Sequence, residues 1–313
     1  MEGTVKQIFP SYYKDFRCIA GDCRHSCCIG WEIDIDAGTM EVYRNFPDIV
    51  RRIDTSAEPA HFRLTEDERC PFLNGCGLCE IILNHGEDHL CQICDDHPRF
   101  RNFFGNRTET GLGLCCEAAA KLILGYPDKV TFDVTGCGGD SGNEREFFAL
   151  RGQLFAIAQN RDLSIAERMR EMLVFADADA VLPERSLTEW AEYYMGLECL
   201  DPARDDVLTR ITDRELPFDD HAVPAEQLLV YFLYRHLASA VEDGMFAART
   251  AFAVLSTRMV FAMASAIAGN GGITFEDLAE AARLYSSEVE YSEENMDDIL
   301  WELDDLQEFR YKK

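Results

Sequence analysis

The sequence predicts a mainly α protein in which an irregular, cysteine-rich N-terminal region packs on a C-terminal helical bundle. Two observations carry this. Twelve of the 13 cysteines fall between Cys18 and Cys137, in a stretch of short segments rich in glycine. After about Gly142 the pattern changes to long runs with apolar residues three and four apart, the spacing that lines one face of an α-helix. The expected division is a cysteine-rich metal-cluster domain over residues 1–140 and a helical domain over 141–313. No internal repeat or low-complexity linker interrupts either part.

The helical elements follow in order. The run from Asn143 to Ala178 reads as one helix or two. In "SLTEWAEYYMGLE", Ser186 stands three residues before Glu189, the reciprocal capping arrangement that starts a helix. "PAEQLLVYFLYRHLASAVEDG" and "FAARTAFAVLSTRMVFAMASAIAGNGG" predict two buried helices separated at Gly244. "TFEDLAEAARLYSSEVE" and "SEENMDDILWELDDLQEF" predict two more, with acidic first turns that complement the helix dipole. Their short connections favour antiparallel packing.

Acidic residues outnumber basic ones 57 to 30, a formal charge of −27. That field repels phosphate backbones and suits a cationic ligand or a lysine-bearing protein better than nucleic acid. Much of it also serves as a solubilising surface. Arg258 interrupts the most apolar run, so no membrane span is expected. The N-terminus lacks an apolar signal core, so a cytoplasmic location is expected.

In a reducing cytosol, clustered cysteines bind metal more often than they form disulfides. Cys18, Cys23, Cys27 and Cys28 lie within eleven residues, where Gly21 and Gly30 permit the turns that bring ligands to one point. Their spacing approaches the C-x4-C-x2-C run of plant-type iron–sulfur proteins without matching it. The second group, Cys70 to Cys116, supports two assignments. One is a zinc ribbon of Cys76-x2-Cys79 and Cys91-x2-Cys94. The other is a dispersed set of Cys70, Cys79, Cys94 and Cys115. Spacing alone does not choose between them. His85 and His89 share a spacing of four, but Gly86 between them favours an exposed turn. The lone Cys199 reads as a small buried hydrophobe. The C-x3-C-x2-C motif of radical S-adenosylmethionine enzymes is absent. Val130–Gly142 reads as a strand entering a glycine-rich loop, yet no alternating strands follow to build a nucleotide-binding sheet.

The succession "YYKDFRCIAGDCRHSCCIGWEIDID", "CPFLNGCGLCEI", "CDDHPRF" and "LGLCCEAAAKLIL" resembles the flagellin lysine-N-methylases. More distantly, it resembles a broader cysteine-rich group described as zinc- or iron-chelating. "LLVYFLYRHL" at 228–237 resembles part of the same family's C-terminal half. The resemblance implies methyl transfer from S-adenosylmethionine to a lysine of flagellin, or of a similar protein, assisted by a [4Fe–4S] cluster. It also implies eight ligands: Cys18, Cys23, Cys27, Cys28, Cys70, Cys79, Cys94 and Cys115. Cys76, Cys91, Cys116 and Cys137 are additional. His97-Pro98-Arg99 stands where Tyr-Pro-Arg is expected, and Cys116 where proline is. These departures leave open a second cluster, different ligation or another acceptor protein.

Lysine is protonated near pH 7 and must lose a proton before it accepts a methyl group. Asp34, Asp36, Tyr12, Tyr13, Tyr231 and Tyr234 are available, and no spacing selects among them. Arg99 is the candidate partner for the cofactor's carboxylate, because a guanidinium fork suits that geometry. Trp31 and Phe72 are placed to shield a metal group from water. Two other classes fit the cysteines: a structural zinc module with a helical interaction domain, and an iron–sulfur electron carrier.

Overall fold

The computed structural model describes residues 5–139, 142–178 and 185–311, and about 54% of the chain is helical. The fold is mainly α, as the periodicity predicts. The chain divides into two compact units. One comprises Arg17–Phe100 with Cys116–Ala118, and the other the chain up to Phe16, Arg101–Cys115 and everything from Ala119 onward. This corrects the division expected at residue 140. Residues 101–115 and 119–139 group with the helices because they carry strands and a helix of that unit.

The helical unit is built around Phe246–Ala268, which packs against the Ala222–His236, Phe275–Val289 and Glu293–Tyr311 helices. Apart from the half-buried Arg258, it is buried continuously from Thr250 to Ala266. Contrary to the expectation drawn from Arg258, this helix is long and apolar enough to cross a membrane. Within the protein, however, 83% of its apolar window is buried, as in a core helix. The run after Gly142 forms two helices, Gly142–Ala158 and Ile165–Phe175, and the second starts at a complete Ser164–Glu167 capping box. Ser186 and Glu189 form the expected box, and Thr274 and Asp277 form another.

A four-stranded sheet belongs to the same unit, apart from Arg99 and Phe100 at the start of its edge strand, and went unforeseen except for its last strand. Its order is Arg99–Phe104, Arg107–Leu112, Lys6–Pro10 and Phe132–Thr135. Lys6–Pro10 runs parallel to Arg107–Leu112 and antiparallel to Phe132–Thr135. The glycine-rich stretch after this last strand packs against the sheet edge. A Cβ on Gly138 would lie 2.2 Å from Asn106 O and 2.8 Å from Lys6 N, and one on Gly136 (φ +84°) 2.4 Å from Val5 O. These glycines therefore serve close backbone contact; Asp140 and Ser141 lie outside the described residues. Gly138→Ala is expected to destabilise the protein by about 1–3 kcal/mol through overpacking, read as a lower urea midpoint.

Buried charges in this unit are paired. Glu109 meets Arg151 and Arg107, and Glu226 meets Arg161 and Arg168. Glu290 accepts from Tyr231 Oη at 2.9 Å and lies 2.5 Å from His236 Nε2 and 3.5 Å from Arg235 Nε. Arg235 in turn donates to Tyr231 Oη at 2.8 Å.

Candidate metal centre

The Arg17–Phe100 unit has little regular structure. Its longest helices are Ala37–Tyr43 and Glu80–His85, and Ile53–Asp54 pairs with His61–Phe62. Its core joins Ile33, Ile35, Tyr43, Ile49, Ile53, Phe62, Phe72 and Ile81 to two thiols, Cys70 and Cys91. Cys28, Cys79, Cys94 and Trp31 pack against it. Such a small core supplies little net stability, so what its sulfurs do matters to the fold.

Among the described residues the cysteines form no disulfide. Five of them, Cys28, Cys70, Cys79, Cys91 and Cys94, gather around this core and influence one another electrostatically. The chain is folded back to bring them together. Cys70 N donates to Cys28 O at 2.8 Å, Leu73 bridges to Cys79, and the sulfurs of Cys91 and Cys94 lie 3.4 Å apart. Cys79 and Cys91 each precede a short helix, where backbone N–H groups point at sulfur. Burial pushes the Cys70 thiol up to about 12, and neighbouring thiols add to the shift. Burial also raises Cys79. The hydrogen bond shared with Cys91 and then burial raise Cys94. Cys28 is lowered to about 7 by a hydrogen bond from Cys27, helped by Ser26 and the Arg69 charge.

Cys18, Cys23, Cys27 and Cys116 form a second electrostatic group in the same unit, beside Glu117. Glu117 is buried, accepts from Arg24 N at 3.0 Å and Arg24 Nε at 3.1 Å, and lies 3.9 Å from Cys23 Sγ. Cys23 Sγ donates to His25 O at 3.2 Å, and Trp31 Nε1 to Cys27 O at 2.6 Å. Cys27 is raised by its hydrogen bond with Cys28, which links the two groups, and then by burial. Gly30 takes the positive φ (+87°) expected of a turn, whereas Gly21 is needed for space: a Cβ there would lie 2.8 Å from Cys76 O.

Seven of the eight cysteines suggested as ligands thus fall into these two groups. The eighth, Cys115, belongs to the helical unit, where it neighbours Tyr291 and Arg235. Cys91 and Cys116 are the members that the eightfold set omits. The zinc-ribbon and dispersed assignments each supply three members of the five-sulfur group, and neither describes it. Cys76 is exposed on a turn held by Asn74, and Cys137 is exposed. Cys199 is exposed too, which corrects its reading as a buried hydrophobe.

The other candidates have structural partners. His85 pairs with Asp48 at 2.9 Å, and both His85 and His89 pack on Phe46. Asp36 caps a helix through Thr39 N and also accepts from Gln92 N. Tyr12 is buried, and Tyr234 Oη lies 2.9 Å from Ile8 O. Arg99 donates to Asp95 O at 2.7 Å. Beside it, burial and then the Arg99 charge hold His97 down at about 4.

The donor set is of the kind that binds metal through thiolates, although among the described residues no three sulfurs lie within 4.8 Å of one another. Sulfur-only ligation suits zinc or an iron–sulfur cluster, and an ion entering the five-sulfur group would displace the protons that burial retains. Five sulfurs exceed the four that one tetrahedral zinc or one cluster takes, so one is spare.

Comparison with known proteins places the rest of the chain. Residues 184–311 match the FliB lysine N-methylase C-terminal domain. This part of the chain is therefore similar to the C-terminal domain of lysine N-methylases. A lysine-N-methylase of Salmonella typhimurium (strain LT2) is 27% identical over 132 residues, covering 38% of this chain and 32% of that protein. The same figures hold for the lysine-N-methylase of Salmonella choleraesuis (strain SC-B67). The flagellar biosynthetic protein FliU of Salmonella muenchen is 26% identical over 132 residues, covering 38% of this chain and 77% of that protein. The match thus spans about a third of the length of the two lysine-N-methylases. No solved structure matches.

Proposed function

We propose that this protein is an iron–sulfur-dependent protein lysine N-methyltransferase. It would use S-adenosylmethionine in the cytoplasm and act on flagellin or a similar lysine-bearing protein. The observation that carries this reading is the lysine N-methylase domain matched over residues 184–311. The formal charge of −27 supports a cationic protein substrate over nucleic acid.

Three or four of Cys28, Cys70, Cys79, Cys91 and Cys94 would hold a [4Fe–4S] cluster, and Cys18, Cys23, Cys27 and Cys116 are the candidates for a second site. Held by four thiolates, the cluster would supply an electron or a structural core; held by three, it would leave one iron open for the amino-carboxylate of S-adenosylmethionine. Arg99 is the proposed partner of that carboxylate, as a charged fork beside the five-sulfur group. Trp31 and Phe72 would exclude water from the sulfurs. The acceptor lysine must arrive neutral, which a low-dielectric site favours by disfavouring its ammonium form.

A structural zinc module with a helical interaction domain is the second reading, because sulfur-only ligation serves zinc equally well. Anaerobic purification with metal and sulfide analysis separates the two, together with calorimetry against S-adenosylmethionine and mass spectrometry of flagellin after incubation. Iron with acid-labile sulfide, a binding signal and methylated lysines are the expected result. Zinc without S-adenosylmethionine binding would overturn the proposal, and iron without binding would indicate an electron carrier.

A further inference from the structure

Outside the thiol groups, Glu32, Asp34 and His61 also converge. Glu32 and Asp34 are two positions apart in an extended segment, so their side chains leave the same face. Asp34 lies opposite His61 in an antiparallel bridge, flanked by Ile35 N to Ala60 O at 2.8 Å and Phe62 N to Ile33 O at 3.1 Å. Cross-strand partners share a face, so the imidazole joins the two carboxylates. One ligand atom from each of the three lies within 4.8 Å of the other two. His61 also pairs with Asp54, whose carboxylate is occupied by Ser56 N at 2.9 Å and Ser56 Oγ at 2.6 Å.

A second observation sets this cluster apart from an ordinary acidic surface. His61 Nε2 meets Glu32 Oε2 at 3.4 Å, but His61 Nδ1 and Asp34 Oδ1 are both buried without a hydrogen-bond partner. Buried polar atoms are nearly always satisfied, so the orphaned Asp34 Oδ1 and His61 Nδ1 call for an explanation. Both are metal-donor types, and an ion would take one of the two imidazole nitrogens. A cation bound by oxygen and nitrogen at about 2.0–2.2 Å holds its ligand atoms roughly 3–4.4 Å apart, within a small side-chain adjustment of the observed spread.

We propose that Glu32, Asp34 and His61 form a divalent transition-metal site of imidazole–dicarboxylate type, separate from the thiols. The imidazole favours iron, nickel, copper or zinc over magnesium and calcium, the two carboxylates also suit manganese, and the absence of sulfur separates the site from the cluster-type ligands. A cation there would tie the segment that follows Cys28 to the hairpin that precedes Cys70. The proposal does not depend on the methyltransferase reading.

The test titrates Mn²⁺ into the whole protein, with its thiol-bound metal left in place, and follows loss of the free Mn²⁺ paramagnetic resonance signal. The wild-type chain is expected to bind one Mn²⁺. His61→Gln and Glu32→Gln should each weaken binding at least tenfold, with circular dichroism and thiol-bound metal content unchanged. The Glu32 side chain is 61% exposed, so this variant carries the test even if His61→Gln misfolds. Failure of the wild type to retain Mn²⁺ would overturn the proposal and leave a buried water as the partner of the two orphaned atoms. Equal affinity in wild type and Glu32→Gln would likewise overturn it.

Discussion

A variant carrying both Cys79→Ala and Cys94→Ala, which leaves three of the five sulfurs, is expected to strip metal from the proposed site and to unfold the Arg17–Phe100 unit while the helices of residues 222–289 persist. The expected effect is large because ion binding at structural thiolate sites contributes about 10–16 kcal/mol of folding free energy in small zinc domains. A core of this size has no comparable reserve. Hydrogen exchange read by mass spectrometry would show lost protection at Ile33, Phe62 and Ile81, all buried beside the sulfurs, with metal content falling in parallel. Cys199→Ala, at an exposed position, should change neither measurement. Retained protection at Ile81 in the metal-free double variant would show that the apolar core suffices alone.

Glu290→Gln should cost about 3–5 kcal/mol, because it removes the carboxylate that offsets the buried Arg235 charge. The urea midpoint should fall accordingly, and a double variant that also carries Arg235→Met should recover part of the loss. The same network predicts acid sensitivity. Burial alone would raise Glu290, but Arg235 and His236 outweigh it and hold the carboxyl below its ordinary range. Burial likewise lowers His236. A group whose folded value is depressed contributes stability above its unfolded value and loses it as pH falls. The wild type should therefore weaken first below about 6.5 through His236 and then below about 4.3 through Glu290. A urea series across pH should show the lower step missing in Glu290→Gln.

The helices were legible because their signals are local. Ser186 with Glu189, Thr274 with Asp277 and the unbroken apolar face of Phe246–Ala268 depend on residues within a turn or two. The sheet was hidden because its inner strand looks like surface. Thr108, Glu109 and Thr110 are buried, and Glu109 is tolerable there only through Arg151, 42 positions away. No window along the chain contains that compensation. The cysteines announced sulfur chemistry but not its partition. Cys28 falls with Cys70, Cys79, Cys91 and Cys94, while Cys27, next to it in a turn, falls with Cys18, Cys23 and Cys116, a partition that no local spacing gives. The orphaned atoms at Asp34 and His61 likewise depend on strand register, which no spacing rule reports.

The parallel pairing of Lys6–Pro10 has a kinetic consequence. This strand leaves the ribosome before its neighbours Arg107–Leu112 and Phe132–Thr135, which follow roughly a hundred or more residues later. At about 5–20 residues per second, it waits on the order of 5–25 seconds with its edges unfilled. The thiol unit is synthesised entirely within that interval. Metal capture on the nascent chain would shorten the loop that the sheet must close, coupling the iron or zinc supply of the cell to the yield of folded helical unit.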